Sequence, residues 1–147
     1  MSLDEKYERI RKEVAEEIRK AGPVLKLSEV GRKSGNKKLI KTRDAYEREL
    51  GVAAEIASFN TVAGKSGGSR GGSCIGAGKC DEWCYAQAGN FTFTKVHKLR
   101  VRNQLSSQWL LRKSGVSGLT DCLSSLLVGW ILGRQKGSKV PRDYLLR

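Results

Sequence analysis

The run from Thr94 to Leu132, TKVHKLRVRNQLSSQWLLRKSGVSGLTDCLSSLLVGWIL, decides the fold. Val96, Leu99, Val101, Leu105, Trp109 and Leu110 recur at helical spacing, which predicts a helix over 94–113. Gly115 breaks it, and Ser117 can cap the next helix. That helix carries Leu119, Cys122, Leu123, Leu126, Leu127, Trp130 and Ile131 on one broad face. The apolar stretch from Leu119 to Leu132 contains Thr120, Asp121, Ser124 and Ser125 and falls short of the ~20 residues of a membrane span, so a buried helix and no membrane partner are expected.

Upstream, Leu3, Tyr7, Ile10, Val14, Ile18 and Ala21 define an amphipathic helix over 3–21, ended by Gly22-Pro23. Its apolar face suits packing or self-association, so a homo-oligomer formed through residues 3–21 is one expectation. A short helix is predicted over 44–54, around Tyr46, Leu50 and Ala54, and a strand over 55–59. Residues 133–142 read as a basic loop, with a strand starting at Tyr144-Leu145-Leu146. The expected fold class is α+β: mostly helical, with one or two short strands and a Gly/Cys-rich metal loop. The expected organisation is an N-terminal helix, 1–22, and one basic domain, 23–147.

Lys and Arg number 28 against 15 Asp and Glu, a net charge of +13 over 147 residues. Residues 1–22 hold equal numbers of acids and bases, so the whole excess lies in 23–147. A balance this basic implies an anionic partner, nucleic acid foremost. The segment 26–43 carries Lys26, Arg32, Lys33, Lys37, Lys38, Lys41 and Arg43 around a Ser34-Gly35-Asn36 turn. It reads as a basic arm or a solvated surface loop. The start, Met-Ser-Leu-Asp-Glu-Lys, has no apolar signal region, so a cytoplasmic location is expected.

Between Gly64 and Gly78 lie seven glycines, with Lys65 and Arg70 among them. Such a loop suits a backbone that wraps a ligand closely or orders on binding. Ala63-Gly64-Lys65-Ser66 mimics the end of a P-loop, but Phe59 stands where that motif needs glycine, so the loop can cradle phosphate without hydrolysing nucleotide. Lys95, Lys98 and Arg102 follow three-and-four spacing on one helix face, and Arg112 and Lys113 follow. With Lys65 and Arg70 they form the candidate nucleic-acid surface, dominated by salt-sensitive phosphate contacts. No helix-turn-helix or RNA-recognition signature is present, and the single histidine, flanked by basic and apolar residues, suggests no serine-hydrolase triad.

The chemistry-bearing stretch is Cys74-Ile-Gly-Ala-Gly-Lys-Cys80-Asp-Glu-Trp-Cys84-Tyr-Ala86, a C-x5-C-x3-C pattern. On a helix, Cys80 and Cys84 share a face, and Gly76 and Gly78 let the loop curl to bring Cys74 to them. Lys79 favours the thiolate form. Three convergent thiolates suit an iron–sulfur cluster with one open iron, or a zinc ion with a further ligand. Cys122, on an apolar helical face, reads as a small buried hydrophobe. His97, the single histidine, is a possible fourth ligand or a surface helix residue among lysines. Trp83, Tyr85 and Phe91 are available to shield a cluster.

This stretch, with Phe59-Asn60 and the glycine loop before it, resembles the "gene product 88" family of bacteriophages and mobile elements. Its hallmark is a C-P-G-A-x-x-C-x-x-W-C-Y-A run, and Ile75 stands here in place of the proline. The resemblance covers roughly residues 55–132 and implies a truncated or divergent relative, in the cytoplasm of a phage-infected or plasmid-bearing cell. The cysteine cluster and its C-Y-A ending are also similar to radical-SAM-type sites, whose spacing is C-x3-C-x2-C. That likeness implies a strand, cysteine loop, helix and strand in the order of one barrel unit. Whether the protein is an enzyme is left open by the sequence.

Overall fold

The computed structural model describes residues 1–30, 37–62, 79 and 93–147. Helix α1 spans Leu3–Ala21, strand β1 Ser28–Val30, helix α2 Lys37–Leu50, strand β2 Ala53–Ser58, helix α3 Thr94–Gln135 and strand β3 Arg142–Leu146. The fold is α+β and mostly helical. The chain forms two compact units: Met1–Leu25 with Asn60–Thr120, and Lys26–Phe59 with Asp121–Arg147.

In the first unit, α1 begins with a reciprocal cap. The Glu5 amide donates to Ser2 Oγ, and the Ser2 amide donates to the Glu5 carboxylate at 2.7 Å. Asp4 and Glu5 lie in the first turn and Arg19 and Lys20 in the last, which matches the helix dipole. Gly22 ends the helix at φ 87°, a conformation that costs glycine little. The amphipathic face closes inward, with Ile10, Val14 and Ile18 joining Val62 and Val101 in one core against which Leu105 and Trp109 pack. Tyr7, Ile10, Val14 and Ile18 of α1 are thereby buried.

The second unit holds a sheet of order β1-β2-β3. β1 runs antiparallel to β2, and β3 runs parallel to it with Ile56 opposite Leu145. Leu39 and Ile56 form its core with Ile40 and Leu145. Tyr46 Oη donates to the Asp143 carboxylate at 2.7 Å, and the Ala54 amide donates to Glu47 at 2.9 Å, so α2 is tied to both parallel strands. Beyond the strand end, the Phe59 amide donates to the Arg147 carbonyl. β2 and β3 form the parallel pair of this sheet, and α3 lies between them in chain order.

Several expectations are corrected. Three strands form where one or two were expected, because Ser28–Val30 pairs with the free edge of β2. The segment 26–43 is not one basic loop: the helix expected to begin near residue 44 already starts at Lys37. The helical pattern does break at Gly115, which adopts φ 67°, a region that L side chains rarely enter. The helix beyond it is not buried. Only Trp130, edge-on to Tyr144, is buried between Leu119 and Leu132, while Val128 and Leu132 are each 54% exposed. Leu119, Leu123, Leu126, Leu127 and Ile131 are half-buried, so the apolar face is only partly covered. By length and composition alone, α3 could cross a membrane, with an 18-residue window of mean hydropathy 1.4.

Candidate functional site

The cysteines Cys74, Cys80 and Cys84, and the cations Lys65 and Arg70, lie outside the described residues. What is described is the frame from which that segment departs and to which it returns. The departing chain is held by the buried side chains Asn103 and Gln104 of α3. Asn103 Nδ2 donates to the Asn60 carbonyl at 3.0 Å, and the Val62 amide donates to Gln104 Oε1 at 3.1 Å. Val62 then enters the core beside Val101. The returning chain enters the same helix at Thr94, where the His97 amide donates to the Phe93 carbonyl. At ~1.5 Å per residue, the two anchor points lie roughly 15 Å apart along the helix.

A third buried polar group completes this strip. Ser106 Oγ accepts from the Val24 amide at 2.9 Å. The two segments leaving regular structure, at 24 and at 60–62, have backbone groups that no helix or sheet ladder serves. Asn103, Gln104 and Ser106 serve them. None of the three belongs to a motif that marks it as a clamp. The available signal was a run of polar residues, Asn103 to Gln108 broken only by Leu105, inside an otherwise apolar and basic helix.

His97 is not a surface residue among lysines. It is 2% exposed and its ring stacks on Tyr7, with centroids 4.0 Å apart. Among the described residues, neither His97 Nε2 nor Tyr7 Oη has a hydrogen-bond partner. Burial first, then the nearby charges of Arg100 and Lys6, push the imidazole pKa down to about 4. Burial, then the Asp4 charge, pushes the Tyr7 phenol up. A buried polar atom left unpaired costs about 1–3 kcal/mol, so this pair calls for an explanation.

The basic line of α3 divides. Lys98 pairs with Glu13 and, at 2.8 Å, with Glu17; Arg102 pairs with Glu17. Both cations therefore face the acids of α1. Lys95, Arg112 and Lys113 are exposed. Cys122, expected to be buried, is an exposed free thiol. Among the described residues, no three His, Cys, Asp or Glu side chains gather into a group that could hold a metal ion. Comparison with protein-family models, with curated proteins and with solved structures finds no match to this chain.

Proposed function

We propose that this chain is a phage- or plasmid-type basic protein of the host cytoplasm that holds an iron–sulfur cluster or a zinc ion through Cys74, Cys80 and Cys84 and works on or near nucleic acid. The observation that carries the metal reading is the anchoring of the cysteine segment. Its two ends are fixed on one helix, by the Asn60 and Val62 clamps before it and by the start of α3 after it. A loop with fixed ends loses less entropy when a metal cross-links it, and three spaced thiolates supply the soft ligands. Anaerobic purification, followed by an absorbance spectrum and metal analysis, tests this. Iron with sulfide, or zinc, at one site per chain is expected. A colourless protein without stoichiometric iron or zinc overturns it.

A second reading is a nucleic-acid-binding module whose cysteines only stiffen a loop. The excess charge of +13 and the exposed Lys95, Arg112 and Lys113 favour it. Lys98 and Arg102 contribute less to either reading, since Glu13 and Glu17 already neutralise them. Binding to a random duplex and a random single strand at two salt concentrations is the test. A phosphate-driven contact weakens steeply as salt rises. Affinity that does not fall with salt excludes it.

A further inference from the structure

The last turns of α3 leave an apolar patch uncovered. Trp130 is buried edge-on to Tyr144, with ring centroids 5.5 Å apart, and Arg134 reaches the Glu55 carboxylate at 3.6 Å. These contacts hold one side of the helix to the sheet of its own unit. At about 100° per residue, Val128 and Leu132 stand roughly 160° round the helix from Trp130. They are the residues left 54% exposed, and Leu127 and Ile131 beside them are half-buried. Lys136 and Lys139 follow in the chain, both exposed, and among the described residues neither has an ion-pair partner. A core helix of a soluble protein can be equally apolar, but it is covered. Here only 6% of the 18-residue apolar window is buried.

We propose that Leu127, Val128, Ile131 and Leu132, with Lys136 and Lys139 at the end of the patch, seat in the surface of a bilayer that bears anionic lipid. The helix lies in the membrane plane, and the inference stands apart from the metal reading. The aliphatic side chains enter the acyl boundary, and the ammonium groups stay among the anionic headgroups. This charge complementarity selects lipid among the possible occupants. Nucleic acid is held by its phosphates, which suit the lysines and gain nothing from aliphatic groups. A stable protein interface uses about 20–30 residues a side, far more than this patch offers. The path of the chain argues against a span. Residues 26–59 group with 121–147, so the chain passes between its two units near residues 25, 59 and 120. A bilayer separating the units would be crossed at all three places, and only the last carries an apolar run approaching the ~20 residues required. A surface helix needs no such length.

The full chain is mixed with phosphatidylcholine vesicles, with and without phosphatidylserine, and bound protein is separated by flotation. Binding to the anionic vesicles should be at least about tenfold stronger and should weaken as salt rises. A chain of charge +13 is drawn to any anionic surface, so insertion is the decisive readout. Val128→Trp adds a fluorophore to the patch. Its emission should move to the blue on binding and be quenched by brominated acyl chains, measured against the three native tryptophans of the wild type. Val128→Ser with Leu132→Ser should cut binding at least about tenfold while circular dichroism matches the wild type. Lys136→Gln with Lys139→Gln should lose about fivefold per lysine. No added quenching in Val128→Trp, or unchanged binding of the serine double variant, overturns the insertion and leaves only the general attraction of a basic protein. Equal binding to both kinds of vesicle overturns the pairing of the lysines with anionic headgroups. A wild type that sediments as a dimer, with the serine double variant a monomer, gives the patch to a second copy of the chain and overturns the proposal.

Discussion

The Glu17 carboxylate lies 2.8 Å from Lys98 Nζ and also accepts from Arg102. Glu13 and Glu17 are four residues apart on α1, and Lys98 and Arg102 are four apart on α3. Two helices that share a core present matching lines of opposite charge beside it. The spacing that suits a row of phosphates suits a row of carboxylates equally well. Here the carboxylates are supplied by the same chain, so the neutral first helix and the basic remainder are complementary parts of one unit.

This pairing sets a pH dependence. Hydrogen bonds from Lys98, then from Arg102, hold the Glu17 carboxyl below its ordinary value of 4.5. A carboxyl with a depressed pKa in the folded state stabilises the protein fully above its unfolded pKa. That contribution is lost as the pH falls through the folded value. Glu17→Gln should therefore melt below the wild type at neutral pH, and the two melting temperatures should converge in acid. A gap that stays constant from neutral to acid would contradict the assignment. The variant also frees Arg102 and leaves Lys98 with Glu13 alone, so its nucleic-acid binding should tighten and depend more steeply on salt.

The apolar face of α1 provides a second prediction. Ile10 is 2% exposed and packs with Val14, Ile18, Val62 and Val101. Ile10→Ala removes its outer methyl and methylene groups from a close-packed site and leaves a cavity, at a cost of about 2–5 kcal/mol. Urea unfolding should show the loss, with an unchanged dependence on protein concentration. A helix held mainly by self-association would instead show a stability that tracks concentration.

Periodicity carried much of this fold and little of its polar detail. Leu3–Ala21 was legible because six apolar residues recur at helical spacing and a glycine follows. The break at Gly115 was legible because glycine interrupts two apolar patterns. Strand β1 was not. Ser28-Glu29-Val30 has no alternation to read, and it is extended because β2 offers it an edge. The start of α2 was hidden by Lys37, Lys38 and Lys41, whose charge suggested a loop although lysine is a good helix former. His97 looked exposed because Lys95 and Lys98 flank it, yet helical neighbours one or two positions apart lie on different faces. A pattern identifies a face and leaves its partner unnamed: the line of Lys95, Lys98 and Arg102 suits phosphate, yet two of its three members meet carboxylates of α1.

The clamp at the start of the cysteine segment can be cut without touching a thiol. Asn103 is fully buried, and its amide satisfies the Asn60 carbonyl. Asn103→Ala leaves that acceptor without this donor, a loss of about 1–3 kcal/mol. Chemical unfolding should register it. Metal loading should weaken in parallel, because the loop then closes from a less restricted starting point. Stability lost with metal affinity unchanged would separate the clamp from the metal site.

The cysteines themselves give the sharpest contrast. Cys122 is exposed on the far arm of α3, remote in sequence from the motif at 74–84. Cys122→Ser should keep the metal and change stability by less than about 0.5 kcal/mol, as surface substitutions do. Cys80→Ser replaces a soft thiolate by a hydroxyl that does not ionise at neutral pH, so the metal should be lost and the melting temperature should drop. Treating both proteins with a chelator separates a metal effect from a packing effect. Chelation should bring Cys122→Ser down towards the melting temperature of Cys80→Ser and leave Cys80→Ser where it was. Equal metal content in the two variants would contradict the ligand assignment. A thiol-reactive dye should label Cys122 rapidly in the folded wild type, and Cys122→Ser should abolish that fast phase. If the fast phase persists in that variant, the reactive thiol belongs to the motif, and its thiolates are not held by metal.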